Sequence, residues 1–153
     1  MLCRALIDSD FADAQALYHE LVGQEPVAGK AQFEAILRHS GTQIIGCEAV
    51  GSVVSMATLH LLPNMTNGGR PYGLVENVVT LAAVQGHGFG RAVMEAVIAS
   101  AWAANAYKIM LLTGKAADAR GFYKKLGFSD EHKHGMMLRR VALRHTPEPA
   151  SPT

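Results

Sequence analysis

Glycine stands at alternate positions in Gln85-Gly86-His87-Gly88-Phe89-Gly90-Arg91. Val78-Val79-Thr80-Leu81 before it reads as the end of a strand, and a stretch with apolar residues at helical spacing follows it. Such a strand–turn–helix junction suits phosphate. The first amides of a helix lack partners and carry partial positive charge, and glycines let an anion approach the backbone closely. A dinucleotide fingerprint does not fit, because G-x-G-x-x-G counted from Gly86 and Gly88 puts its third glycine at Arg91. The acidic residue expected about 20 positions further on is also missing from the Tyr107 to Thr113 stretch. A Walker A loop fails as well, since Gly114-Lys115 is followed by Ala116. The turn is then either the cradle of another pyrophosphate or a glycine turn that only permits tight strand–helix packing.

Gln85, Gly88 and Gly90 meet the pattern Q/R-x-x-G-x-G/A. Downstream, Ala119, Phe122, Tyr123, Gly127 and Phe128 match five positions of Asn-x-x-Ala-x-x-Phe-Tyr-x-x-x-Gly-Phe, while Ala116 stands where Asn is common. The two stretches, in this order and with a strand between them, resemble the GNAT superfamily of acetyl-CoA-dependent N-acetyltransferases. The resemblance runs from Thr42 to Leu143. It implies a mixed central β-sheet, splayed at the cofactor site, with helices on both faces. It also implies acetyl-CoA as cosubstrate and transfer of its acetyl group to a primary amine by direct attack.

The resemblance carries residue roles with it. The backbone of Val78, Val79 and Thr80 is expected to pair with the pantetheine arm as an added strand would. The amides of Gln85, Gly86, His87, Gly88, Phe89, Gly90 and Arg91 are expected to hold the pyrophosphate. An alkylamine, with a pKa near 10.4, arrives protonated at neutral pH, and the departing thiolate needs a proton. Tyr123 matches the family tyrosine beside the sulfur and is the candidate acid; otherwise it is a core aromatic beside Phe122. Glu76 is the candidate base. Glu76-Asn77-Val78-Val79 resembles the Glu-Asp-Val-Val of glucosamine-6-phosphate N-acetyltransferases, with Asn77 replacing the acid. Read alone, Glu76 is equally an exposed or salt-bridged residue at the start of a Val-rich stretch.

Other polar residues carry weaker signals. His87 either touches phosphate or faces solvent, and Lys124-Lys125 is a solvated helix face or a hold on a phosphate of CoA. His60 either faces an acceptor pocket or is an ordinary strand-end residue. His132 and His134 flank Lys133 in what reads as a turn, and no metal site is expected there.

These residues need elements to hold them. The pattern predicts a strand at Leu2–Ile7, a helix through Leu17 and Leu21 ending at Gly23, and a helix over Lys30–His39. It predicts a hairpin of Thr42–Val50 and Val53–Leu62 turning at Gly51-Ser52, a loop over Pro63–Arg70 and a strand over Tyr72–Leu81. A helix over Arg91–Ala104, a buried strand over Tyr107–Leu112, a helix over Ala116–Leu126 and a last strand over Met136–Leu143 complete the order. The class is α/β (α+β), with one domain over residues 1–144 and a proline-bearing disordered tail over 145–153.

Of the 153 residues, 49% are apolar and 18% charged, with 14 basic against 13 acidic side chains. That balance gives no electrostatic case for nucleic acid or an anionic membrane. Cys3 and Cys47 read as free thiols of a reducing compartment. No signal peptide or membrane span is apparent, so a cytoplasmic, bacterial-type enzyme is expected, with homodimers common in the family. A small-molecule amine suits the chain better than a basic peptide, for it shows no acidic run. A protein Nα- or lysine acetyltransferase and a non-catalytic CoA-binding module are the alternatives.

Overall fold

A computed structural model describes residues 1–114 and 119–140. Strand β1 (Leu2–Ala5) leads through a short turn of 3-10 helix into α1 (Phe11–Val22), and α2 (Lys30–Leu37) follows. Strands β2 (Thr42–Ala49), β3 (Ser52–Leu62) and β4 (Tyr72–Thr80) come next, then α3 (Phe89–Ala103), β5 (Ile109–Leu111) and α4 (Ala119–Lys125). The five strands form one sheet in the order β1-β2-β3-β4-β5, antiparallel as far as β4 and parallel between β4 and β5. A parallel pair needs a crossover, and α3 supplies it. This is the mixed sheet with helices on both faces that the sequence predicts.

The core lies in two layers. On one face Ile45, Cys47, Ala57, Leu59 and Val75 meet Val93, Met94, Val97 and Ala101 of α3. On the other, Ile44, Val53, Met56 and Val79 meet Ala14 and Leu17 of α1 and Phe33 of α2. Central strand β3 is covered on both sides, which explains its nearly unbroken run of small and apolar residues. Helix α1 stops at Gly23, whose positive φ lets its N–H return to the His19 carbonyl. Its start is tied to the sheet edge by Arg4, which reaches Asp10 at 2.7 Å and 2.9 Å and Glu48 at 2.7 Å.

Four expectations change. The β2–β3 turn is Val50-Gly51, not Gly51-Ser52, because Ala49 pairs with Ser52 and both turn residues have positive φ. The strand expected over Tyr107–Leu112 shortens to three residues and is only partly buried, since it forms a sheet edge. Residues 136–140 are not a strand; Met136 and Leu138 lie exposed there, and 141–143 fall outside the described residues, as does the 145–153 tail. Apolar content suggests a strand, but among the described residues 136–140 pair with no strand, although β5 leaves one edge of the sheet free. Finally, Cys3 and Cys47 face each other across the β1–β2 ladder and are joined as a disulfide rather than free. The cysteine-based argument for a reducing compartment falls with that pairing. No helix among the described residues is long and apolar enough to cross a membrane.

The tightness of the second layer is testable at Gly46. A Cβ there would lie 2.6 Å from both Leu6 Cδ2 and Val53 Cγ1. Gly46→Ala should destabilise the fold by about 1–3 kcal/mol, the usual range for overpacking. A urea titration with an unchanged midpoint would show that the two side chains yield freely.

Candidate active site

Strand β4 changes character halfway along. Val75 pairs with Leu59 and Glu76 with Thr58, but Val79 then pairs with Met56, so the strand carries one residue too many opposite Ala57. The extra residue is Asn77, with φ +54°. Asparagine tolerates this left-handed conformation better than most residues, and it absorbs the bulge. The bulge shifts the alternation of side chains. Val75 and Val78 both join the α3 side of the core, Val79 joins the α1/α2 side, and Glu76 stands on that second face opposite Thr58. Without the bulge, Val78 and Val79 would exchange faces.

The β4–β5 ladder pairs only Gly73–Val75 with Ile109–Leu111. Past Val75 the two strands share no register, so the backbone from Glu76 to Thr80 has no strand partner on that side. Glu76 and Asn77 are exposed there, and Glu76 has no ion pair among the described residues. The splay lies where the resemblance implies it, and Val78, Val79 and Thr80 fall on the edge of β4 that β5 leaves unpaired.

The glycines divide into two kinds. Gly86 and Gly88 have φ of +80° and +87°, and a Cβ on Gly86 would meet nothing. Gly90 has ordinary φ, but its Cβ would come 3.2 Å from Thr80 Oγ1 and 3.8 Å from Phe122. Gly90 thus serves close packing, while Gly86 and Gly88 serve the turn. Gly88 is the N-cap of α3, which begins at Phe89, two residues earlier than predicted, so Phe89, Gly90 and Arg91 form its first turn. Among the described residues, the amides of Gly86, Gly88, Phe89, Gly90 and Arg91 have no backbone acceptor. The amides of Gln85 and His87 do, at Ala82 and Val84. Gln85 Nε2 donates to the Thr80 carbonyl at 3.0 Å and ties the turn to β4. The His87 ring lies 3.0 Å from the Gln85 carbonyl, turned back on its own loop.

Tyr123 lies on α4, on the α3 side of the sheet and in the cluster that includes Val78. Phe122 and Phe128 pack edge-on against its ring at centroid distances of 5.1 Å and 6.0 Å. Burial pushes its phenol pKa up, so the proton stays on the oxygen. Lys124 pairs with Asp130 at 3.1 Å, as Arg120 also does, while Lys125 lines a groove with Arg91 and Trp102. Ala116 lies outside the described residues. His132 and His134 are exposed.

The opposite face carries residues that the sequence reading did not assemble. A cavity of about 360 Å³ is lined by Tyr18, Gln32, Ala35, Ile36, His39, Thr42, Thr58, His60 and Asn77. Thr58 is 3% exposed, and its hydroxyl closes no hydrogen bond of ordinary length. The neighbouring Tyr18 phenol has its pKa raised by burial, an effect that Thr58 partly offsets. His60 faces this cavity rather than standing as an ordinary strand-end residue. The signal for the cavity was faint: polar Thr42, Thr58 and His60 occupy positions that share one face, visible only once β2 and β3 are paired in register.

Comparison with known proteins agrees with this geometry. The Acetyltransferase (GNAT) family matches residues 5–128. A glucosamine 6-phosphate N-acetyltransferase of Trypanosoma brucei brucei is 30% identical over 139 residues, covering 88% of this chain and 92% of that protein. A solved structure from Agrobacterium tumefaciens str. C58, provisionally described as an acetyltransferase, superposes with a TM-score of 0.86 at 38% identity, covering 92% of this chain and all of that one. The structure of a Trypanosoma brucei acetyltransferase gives a TM-score of 0.75 at 29% identity, over 90% and 98% of the two chains. With its family match spanning both layers of the core, the bulged fourth strand and the glycine-led helix, the chain belongs to the GNAT family of acetyltransferases.

Proposed function

We propose that the chain moves an acetyl group from acetyl-CoA to a primary amine of a small molecule. The observation that carries this reading is the gap past Val75, with Glu76 on one face and Tyr123 on the other. Five amides without backbone acceptors at the start of α3 suit a pyrophosphate, and the unpaired edge of β4 suits an amide-bearing arm. Acetyl-CoA supplies, when bound, a thioester that an amine can attack directly. Glu76 accepts the proton that an incoming ammonium must lose, directly or through water. Tyr123 donates its phenolic proton to the sulfur that leaves. Each proton handler is worth roughly 10²–10⁴ in rate. Two separate groups suit the reaction, because the attacking amine must lose a proton while the departing sulfur gains one. Glucosamine 6-phosphate, the substrate that names one relative, is the first acceptor to try.

Three measurements test this. Gly88→Glu should weaken acetyl-CoA binding at least about tenfold by calorimetry, since it puts bulk and negative charge beside a pyrophosphate, worth over 1.4 kcal/mol. Unchanged affinity in the folded variant would remove the turn from the cofactor site. Tyr123→Phe should lower kcat by roughly 10²-fold while leaving acetyl-CoA affinity intact. A kcat within twofold of wild type, with chemistry rate-limiting, would leave the tyrosine a packing role only. Glu76→Gln should reduce kcat/KM most at pH values well below the amine's pKa, where the acceptor arrives as ammonium, and recover toward wild type at high pH. A defect flat across the pH–rate profile would mean that Glu76 is not the base.

A further inference from the structure

The cavity on the α1/α2 face holds a group that acetyl transfer itself does not use. Thr42 Oγ1 lies 3.0 Å from His39 Nδ1 and 3.0 Å from His60 Nδ1. The threonine is buried on β2, His39 follows α2, and His60 lies on β3. With each Nδ1 turned to Thr42, the Nε2 side of each ring is left for the cavity that both residues line.

A hydroxyl has one proton and two lone pairs. When Thr42 donates to one ring, that ring is neutral and keeps its proton on Nε2. The other ring then donates its Nδ1 proton to Thr42. One further proton, taken by this second ring at Nε2, gives the pair two outward N–H donors and a single positive charge. Two donors sharing one charge make a receptor for an oxyanion.

No Lys or Arg lines the cavity among the described residues. The titratable side chains facing it are Tyr18 from α1, His39 after α2 and His60 from β3. Helix α2 otherwise offers Gln32, β2 offers Thr42, and β4 offers Asn77, none of which titrates. Glu76 on β4 shares that sheet face, opposite Thr58. The two imidazoles are therefore the cavity's source of positive charge, and Thr58, buried beside Tyr18, lines the same space.

We infer that His39 and His60, bridged by Thr42, select acceptors bearing an oxyanion, a phosphomonoester first, and hold it while the amine lies at Glu76. The inference rests on the small-amine reading given above. His60 lies two residues along β3 from Thr58, the partner of Glu76, which is about 7 Å at the rise of an extended strand. A single sugar ring with an amine at one end and an anion at the other spans that distance.

The test uses the full chain and compounds without an amine, so that binding is read apart from turnover. Calorimetry at pH 6 should show glucose 6-phosphate binding at least about tenfold more tightly than glucose, a difference of about 1.4 kcal/mol. Glucose 6-sulfate, whose charge is constant over this range, should bind about tenfold more weakly at pH 8 than at pH 6, because the added imidazole proton that completes the receptor is less available at the higher pH. The double variant His39→Gln/His60→Gln should bring glucose 6-phosphate down to the level of glucose. Equal binding of glucose and its 6-phosphate, a pH-independent sulfate ester, or full affinity in the folded double variant would each overturn the inference. If the double variant does not fold, the two wild-type comparisons decide. Selective binding of glucose 6-phosphate without acetylation of any amine would sink acetyl transfer and keep the anion site. Acetylation of glucosamine and its 6-phosphate with equal KM would do the reverse.

Discussion

A single extra residue in β4 organises the candidate site. Asn77 adopts a left-handed conformation and lets β4 keep its bonds to β3 while its side chains change faces. Before the bulge, β4 is the inner neighbour of β5; after it, the two strands have no common register. A sheet that kept every ladder bond would have no gap. One that lost the ladder entirely would expose Val75 and Val79, both nearly fully buried. The bulge gives an opening in an otherwise closed layer, at the modest local strain of one asparagine with positive φ.

The opening is held from three directions. Ser55, fully buried on β3, hydrogen-bonds through its hydroxyl to the Thr80 hydroxyl at 2.7 Å and the Val79 carbonyl at 3.1 Å. Gln85 holds the Thr80 carbonyl from the glycine turn, and Gly90 lets α3 start within van der Waals reach of the same threonine. The end of β4 and the start of α3 are thereby fixed to one another. On the far side, the aromatic trio of Phe122, Tyr123 and Phe128 seats α4 against the α3 layer. Two faces of one sheet thus offer different environments: an apolar, aromatic one around Tyr123, and a polar one of hydroxyls and imidazoles around Thr58.

The glycine turn shows how a motif mixes purposes. Packing and phosphate binding stood as alternatives for the whole stretch. The backbone separates close packing from turn geometry residue by residue: Gly90 is small because Thr80 is close, whereas Gly86 and Gly88 are glycine because their φ is positive. His87, grouped with the cradle on position alone, has both its ring and its amide turned to nearby carbonyls.

The order of elements up to α4, the two glycine-bearing motifs and the family they resemble were legible in the chain, because periodicity and turn chemistry are local and are written in neighbouring residues. Tertiary structure decided what depends on partners distant in sequence. The pairing of Cys3 with Cys47 follows from the β1–β2 register. Asn77 read as a lost acid, yet its place is set by the backbone of a bulge that only the β3 register reveals. Thr42, Thr58 and His60 become neighbours of His39 and Tyr18 only when two strands pair and two helices pack over them. No sequence period records that meeting, since it is produced by the register of β2 on β3 and the seating of α1 and α2 on one face of the sheet.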